Sequence, residues 1–336
     1  MYESIAVLSS RMSLESRTHK SLSKAALKAA RLKTELSEIK MVVFSDHHRG
    51  MRDDADDFVQ CESTYKQALS YYLSVNYKLL LLGDVEELWE NPLSQFNDQY
   101  EDVQKLERDF FLKDRLIRIW GNHDDFWREK AIFNRYQGKY FKGLTVHESL
   151  IVEVSDDGRE IGEIVFLHGH QGNLASDRFA TISRFLVRWL WRPWQKITGA
   201  KLSTASRNLE RRSRTDELLY EWVKRRERAI LIAGHTHQAV FSSSSHIDYL
   251  EELLRNSEDI QEQAQIVSEM NRVRASQTHV KVGGDRQTCY FNSGCCSFED
   301  GDITGLEIDN GQIKLIKWSR EGKRIELRSA DLQSVF

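Results

Sequence analysis

Short runs rich in apolar residues recur along the chain, and most of them stop at a glycine or a polar side chain. Five runs are dominated by leucine and β-branched residues, which is typical of strands buried on both faces of a parallel sheet. These five runs cover residues 41–44, 78–82, 116–120, 163–167 and 229–233. The segments 53–74 and 98–111 lie between the first three runs, and their charged or amphipathic pattern predicts crossover helices.

The remaining segments complete the predicted order of elements. Residues 144–154 are expected to form two short strands, and four further short strands separated by glycine-containing turns are expected in 290–298, 303–308, 313–318 and 324–327. Residues 1–40 have apolar positions at helical spacing, which predicts an N-terminal helical extension before a main domain of residues 41–336. Two insertions interrupt the strands: a helical lid at 171–228, and a second segment at 242–287 with two predicted helices for packing or a dimer contact.

Composition adds a strong local charge asymmetry to this picture. The 336 residues have a net charge of -3, but residues 171–228 hold 14 Lys and Arg against 6 Asp and Glu. The four cysteines have no disulfide-framework spacing, which favours a reduced, cytoplasmic protein. The sequence has no apolar run of about eighteen residues and no signal-peptide core, so we expect no membrane span and no secretion.

Each of the five strand-like runs ends in a side chain that can bind a metal ion. These side chains are Asp46 with His48, Asp84, Asn122 with His123, His168, and His235 with His237. A single histidine at a strand end is usually a hydrogen-bonded structural residue. The carboxyl ends of neighbouring strands converge on one crevice, however, so five such endings together predict one shared site.

The types of ligand indicate what this site binds. Carboxylate, amide oxygen and imidazole without thiolate suit Mn²⁺, Fe²⁺ or Zn²⁺. About seven ligands are too many for one ion and sufficient for two. Two ions about 3.5–4 Å apart serve in-line displacement at phosphorus, where they lower the pKa of a bound water from 15.7 towards about 7 and so supply a hydroxide nucleophile.

The motifs in these strand endings resemble those of the calcineurin-like metallophosphoesterases. The motifs are Asp46-x-His48, Gly83-Asp84, Gly121-Asn122-His123-Asp124, His168 and Gly234-His235-Thr236-His237, and the resemblance covers residues 41–318. It implies an α/β (α+β) fold: a four-layer α/β-β/α sandwich in which two sheets are flanked by helices, with the dinuclear site at one edge.

The same resemblance implies a role for each residue of the site. One metal ion would be bound by Asp46, His48 and His237, and the other by Asn122, His168 and His235, with Asp84 bridging the two. His123 would donate a proton to the leaving oxygen and would be oriented by Asp124. Mn²⁺ is the first expectation for both ions, with Fe²⁺ or Zn²⁺ as alternatives.

Local motifs bear on the choice of phosphate ester. The segment from Gly83 to Trp89 departs from the Gly-Asp-x-x-Asp-Arg-Gly of protein phosphatases. Its Glu87 and Trp89 resemble the UDP-2,3-diacylglucosamine pyrophosphohydrolases, which usually have arginine in place of His123. This resemblance makes Glu87 and Trp89 candidates for substrate binding and implies a nucleotide-linked lipid as substrate. A nucleic-acid or cyclic-nucleotide phosphodiesterase and a non-catalytic, metal-stabilised binding protein are the alternatives.

Arginines at two places in the chain are candidates for contacting that substrate. Arg184, Arg188 and Arg192 form a basic stripe at helical spacing beside an apolar face with Trp189. Residues 178–196 could therefore lie on the inner face of an anionic membrane, or Arg184 and Arg188 could clamp a phosphate; a solvated lid helix is the third possibility. Arg49 follows the first ligands directly and is a further candidate for holding substrate phosphate.

Overall fold

The computed structural model describes residues 2–53, 56–91, 93, 99–172, 205–257, 259–276 and 287–336. In these residues the chain forms two seven-stranded mixed sheets with helices packed against them. The predicted α/β sandwich is therefore confirmed.

One sheet contains the first three apolar runs. Its strand order is β14-β13-β12-β2-β3-β4-β5, and β2, β3, β4 and β5 run parallel. The bounds are Lys40–Phe44 (β2), Lys78–Leu82 (β3), Leu116–Ile119 (β4), Val146–His147 (β5), Ile303–Asp309 (β12), Gln312–Trp318 (β13) and Arg324–Asp331 (β14). The last three strands form an antiparallel meander that joins the sheet through β12 and β2.

The other sheet has the order β1-β6-β7-β8-β11-β9-β10. Its strands are Ala30–Glu35 (β1), Ser149–Asp156 (β6), Arg159–Leu167 (β7), Ala229–Ala233 (β8), Ala239–Phe241 (β9), Ser244–Ser245 (β10) and Tyr290–Ser293 (β11). Strand β1 lies in the segment predicted to be helical, so that prediction was wrong for residues 30–35. Among the described strands it pairs with β6 alone, at the edge of the sheet. It has no buried side chain, so its sequence lacks the apolar signal of a strand.

Helices cover the outer faces of both sheets. Helices α2 (Glu62–Ser74), α3 (Glu101–Phe111) and α4 (Lys130–Phe141) pack on the sheet that contains β2, and α1 (Tyr2–Leu27) and α5 (Ala205–Val223) pack on the other. Helices α6 (His246–Asn256) and α7 (Ile260–Ser276) lie in the segment 242–287 and pack against each other. No helix in the described ranges is both long enough and apolar enough to cross a membrane.

Alternate side chains of the buried strands enter different parts of the core. Val42 and Phe44 face the helical layer, whereas Met41 and Val43 face the space between the sheets. Burial on both faces explains why the run is apolar at every position rather than at every second one. Each fully buried side chain of this kind contributes about 1.5–3 kcal/mol of burial free energy. The strands are thereby held in a fixed register, and their carboxyl ends meet at one edge of the sandwich.

Candidate metal centre

The structure brings the side chains from the five strand ends together at this edge. Three groups of possible ligands have their donor atoms within 4.8 Å of one another. The groups are Asp46 with His48 and His237, Asp84 with His168 and His235, and His48 with Asp84 and His123. The groups share members, so they form one continuous cluster contributed by both sheets.

Asn122 is linked to this cluster through the backbone of the next residue. The backbone N–H of His123, the next residue, donates to Oδ1 of Asp84 over 2.8 Å. The side-chain Oδ1 of Asn122 is buried and has no hydrogen-bond partner among the described residues. A buried acceptor without a donor is costly, and a cation at this position would satisfy it.

The backbone of the site is strained at several ligands. Asp46, His48, Asp84, His235 and His237 all have positive φ angles, between 51° and 72°. Non-glycine residues rarely adopt this region, and each instance costs of order 1–3 kcal/mol. Five such residues among seven predicted ligands indicate that the surrounding fold holds them in a conformation needed for function.

Two glycines allow the ligand loops to approach each other closely. A Cβ atom at Gly234 would lie 2.6 Å from Oδ2 of Asp46, and one at Gly121 would collide with the carboxylate of Asp84. Any larger residue would therefore displace a carboxylate from the cluster.

The two carboxylates of the site are ionised. Burial alone would raise the pKa of Asp46 and of Asp84, but the neighbouring histidines outweigh it and hold both pKa values well below their usual range. His168 lies 2.9 Å from Asp84, and its Nδ1 is 2.8 Å from the carbonyl of Leu82. Donation from Nδ1 to that carbonyl would leave Nε2 free as a metal ligand.

The histidines crowd each other in a way that fits a shared cation. The Nε2 atoms of His48 and His237 lie 3.0 Å apart. Burial and neighbouring charges lower the pKa of His235 to about 3 and that of His237 to about 4, which keeps both imidazoles neutral. Neutral imidazole is the form that binds metals, so His235 and His237 are in the form suited to divalent ions. Neighbouring carboxylates outweigh burial and raise the pKa of His48, and that of His168 to about 9, so these two would each release a proton on binding a metal ion.

His123 is held by a residue other than the one expected. Its Nδ1 lies 2.6 Å from Oε2 of Glu87, and its ring stacks on Trp89 with the centroids 4.2 Å apart. The predicted orientation by Asp124 is therefore wrong. Asp124 instead accepts the backbone N–H groups of Gly121 and Val85, and so ties two ligand loops together.

Glu87 and Trp89, the predicted substrate contacts, lie beside the ligand cluster. Glu87 is 9% exposed, and its Oε2 also lies 3.2 Å from Nδ1 of His48. Trp89 donates its indole N–H to the carbonyl of Asn122 over 2.6 Å. Both side chains contact groups of the site itself, which accounts for the Glu-x-Trp pattern without a bound substrate.

Arg49 does not reach the site surface. It is 1% exposed and forms a two-point ion pair with Glu107, which also accepts the hydroxyl of Tyr65. The prediction that Arg49 holds substrate phosphate is therefore wrong, because its guanidinium is buried in the core and paired with Glu107. The other predicted contacts, Arg184 and Arg188, lie outside the described residues, as does the segment 178–196.

A buried polar network behind the histidines was not found from the sequence. Asn292 donates to the carbonyl of Gly234 over 2.7 Å and to the hydroxyl of Thr236 over 3.1 Å. Asp216 of helix α5 accepts hydrogen bonds from Thr236 and from Tyr290. The only available signal was the position of Thr236 between two ligands, because its partners lie 20 and more residues away in sequence.

One family model matches the part of the chain that carries this site. The family model of the calcineurin-like phosphoesterases matches residues 39–239. No curated protein matches the chain. A crystal structure of a conserved uncharacterized protein from Streptococcus pneumoniae TIGR4, described as a predicted phosphoesterase, is 14% identical, with a TM-score of 0.33 over 86% of this chain and 97% of that chain. The family match spans more than half of the chain and includes the whole ligand cluster, so the protein belongs to the calcineurin-like phosphoesterases and is a phosphate-ester hydrolase.

Proposed function

We propose that the protein hydrolyses a phosphodiester or pyrophosphate bond at a centre of two divalent metal ions. The observation that carries this proposal is the position of Asp84, which contributes to two of the ligand groups. In the proposed arrangement Asp46, His48 and His237 hold one ion and Asn122, His168 and His235 hold the other. Asp84 is then the carboxylate common to both.

The donor set limits the choice of metal. Two carboxylates, one amide and four imidazoles offer oxygen and nitrogen without thiolate, which supports Mn²⁺ first and Fe²⁺ or Zn²⁺ as alternatives. Such ions, when bound, lower the pKa of water and neutralise the charge on phosphoryl oxygens.

His123 is the proposed general acid. Burial lowers its pKa, but the carboxylates of Glu87 and Asp84 outweigh burial and raise the pKa above its usual value. The raised pKa favours the protonated imidazole, which is the form that can donate a proton to the leaving oxygen. Glu87 fixes the direction of the ring, and Trp89 restricts its rotation by stacking.

A nucleotide-linked lipid is the proposed class of substrate. Its main support is the net positive charge of residues 171–228, which suits a phosphate-rich ligand or an anionic membrane surface. The Glu-x-Trp pattern adds little support now that both side chains are seen to contact His123. In this proposal the protein works in the cytoplasm and contacts the inner face of the membrane peripherally.

The test begins with removal of metal by a chelator and reloading with Mn²⁺, Zn²⁺ or Fe²⁺. We expect metal-dependent hydrolysis of bis(p-nitrophenyl) phosphate, which a buffer control without metal does not show. A panel of nucleotide-linked lipids, cyclic nucleotides, oligonucleotides and phosphomonoesters then ranks substrates by kcat/KM. Equal turnover with and without metal would contradict the proposed centre, and a preference for oligonucleotides would contradict the proposed substrate.

A further inference from the structure

We propose that Arg212 of helix α5 binds a phosphate oxygen of the substrate beside the metal centre. This inference rests on the proposed function and names a residue that neither the motifs nor the family match identifies. It gives to Arg212 the role that the sequence suggested for Arg49.

The direction of helix α5 places its earlier residues near the metal centre. The helix leads through residues 224–228 into strand β8 and packs along it, so the two run in opposite directions. Earlier residues of α5 therefore lie nearer the carboxyl end of β8, where the ligand loop 234–237 begins. Leu219 already lies over this end, since it lies 3.4 Å from a Cβ placed on Gly169, next to His168.

Arg212 lies on the face of helix α5 that packs on the sheet. Buried residues Asp216, Leu219, Tyr220 and Val223 follow Arg212 at helical spacing, so all five share the face that packs on the sheet. Arg212 itself is half-buried. It is four residues before Asp216, and at 1.5 Å per residue it lies about 6 Å further along the axis, beyond the end of the strand.

Helix α5 is attached to the ligand loop through Asp216. Oδ1 of Asp216 accepts the hydroxyl of Thr236 over 3.1 Å and that of Tyr290 over 2.5 Å. Asp216 is 3% exposed, so these bonds are shielded from water. Because Thr236 lies between His235 and His237, the position of Arg212 is fixed relative to two metal ligands.

The charge of Arg212 acts on groups at the site. Burial lowers the pKa of His237, and Arg212 lowers it further. Burial raises the pKa of Cys295, and Arg212 opposes that effect. Burial raises the pKa of Asp216 too, and Arg212 again opposes that effect. In the part of the chain that the structure describes, Arg212 forms no direct ion pair with a carboxylate. An arginine placed in this way is available for charge-assisted hydrogen bonds to phosphate.

The experiment compares Arg212→Ala, Arg212→Gln and Arg212→Lys in the full-length, Mn²⁺-loaded protein. Arg214→Ala is the matched control, because Arg214 lies on the same helix and is exposed. Binding of inorganic phosphate is measured by calorimetry, KM and kcat are measured with bis(p-nitrophenyl) phosphate, and thermal melting monitors folding.

We expect Arg212→Ala and Arg212→Gln to weaken phosphate binding about 10- to 100-fold and to raise KM more than they lower kcat. Arg212→Lys should retain part of the affinity, and Arg214→Ala should behave as the wild type. Phosphate affinity in both Arg212→Gln and Arg212→Lys equal to that of Arg214→Ala would overturn the inference. The alanine variant is not essential to this decision, so its failure to fold would leave the test intact. A wild type that lacks metal-dependent hydrolysis would instead overturn the proposed function itself.

Discussion

The carboxylate of Glu87 contacts the imidazole of His123, with Oε2 of Glu87 only 2.6 Å from Nδ1 of His123. Glu87 follows the proposed ligand Asp84 by three residues, and His123 follows the proposed ligand Asn122 directly, so the pair spans two neighbouring strand ends. The contact raises the pKa of His123 and aims its other nitrogen away from Glu87. A single buried carboxylate thus contacts both His123 and the proposed metal ligand His48.

Glu87→Gln should lower kcat about 10- to 100-fold with little change in KM, because the ring of His123 loses its charged partner. His123→Asn should lower kcat about 100- to 10,000-fold. Both effects should be larger for a phenyl than for a p-nitrophenyl ester, since the poorer leaving group needs the proton more. Glu129→Gln, with a side chain that is 64% exposed, is the control. Equal losses for the two esters would rule out His123 as the proton donor.

Metal removal should destabilise the wild-type protein. A metal present at 100 times its dissociation constant stabilises the folded state by about 2.7 kcal/mol, so chelation should lower Tm by several degrees. Asp84→Asn should lose most of this metal-dependent shift, whereas Asp102→Asn, at a side chain that is 73% exposed, should keep it. Differential scanning fluorimetry with and without Mn²⁺ measures the shift, and an unchanged shift in Asp84→Asn would argue against this carboxylate as a ligand.

Replacing glycine by alanine should be damaging at Gly121 and harmless at Gly138. Gly121→Ala places a methyl group against the carboxylate of Asp84 and should abolish metal-dependent turnover. Gly138→Ala lies in helix α4 with no atom within 4 Å of the new methyl group, so it should be neutral or stabilise the protein by up to about 1 kcal/mol. Chemical denaturation and metal titration of the two variants separate the effects. Full activity in Gly121→Ala would show that the loops can move apart.

Arg49→Ala should affect stability rather than substrate affinity. It leaves Glu107 buried without its charged partner, which costs about 3–5 kcal/mol of unfolding free energy. Replacing both residues by Met and Leu should recover much of the loss. Arg128→Ala, at a side chain that is 57% exposed, should be nearly neutral. A normal Tm with a raised KM in Arg49→Ala would restore the role in phosphate binding.

Ionisation of Asp216 should lower the stability of the folded protein as pH rises. Burial raises its pKa from the ordinary 3.8 to about 7, so the folded protein binds a proton that the unfolded chain releases. The stabilisation from this proton is complete below about pH 4 and is lost as pH rises to about 7, amounting to up to about 4 kcal/mol. Asp216→Asn cannot ionise, so its stability relative to the wild type should increase between pH 5 and pH 8. A difference that is constant with pH would contradict this assignment.

Some features of the site were predictable because they depend on local chain chemistry. A strand buried on both faces must be apolar throughout, so an acid or histidine at its end stands out, as it does for Asp46, Asp84 and His168. Glycines beside these ligands, such as Gly121 and Gly234, gave a second local signal. By contrast, strand β1 has exposed and partly exposed side chains and left no such pattern, so its place in the sheet was missed.

The sequence alone determined the sandwich fold, the reaction class and which side chains could bind metal, because strand burial and metal coordination each demand particular residue types at fixed spacing. Only the tertiary structure decided what the charged residues around the ligands do. Arg49 lies next to a ligand yet pairs with Glu107 in the core, and Glu87 rather than Asp124 holds His123. Charged groups find their partners across tens of residues, and those partners are set by how helices and strands pack rather than by neighbours along the chain.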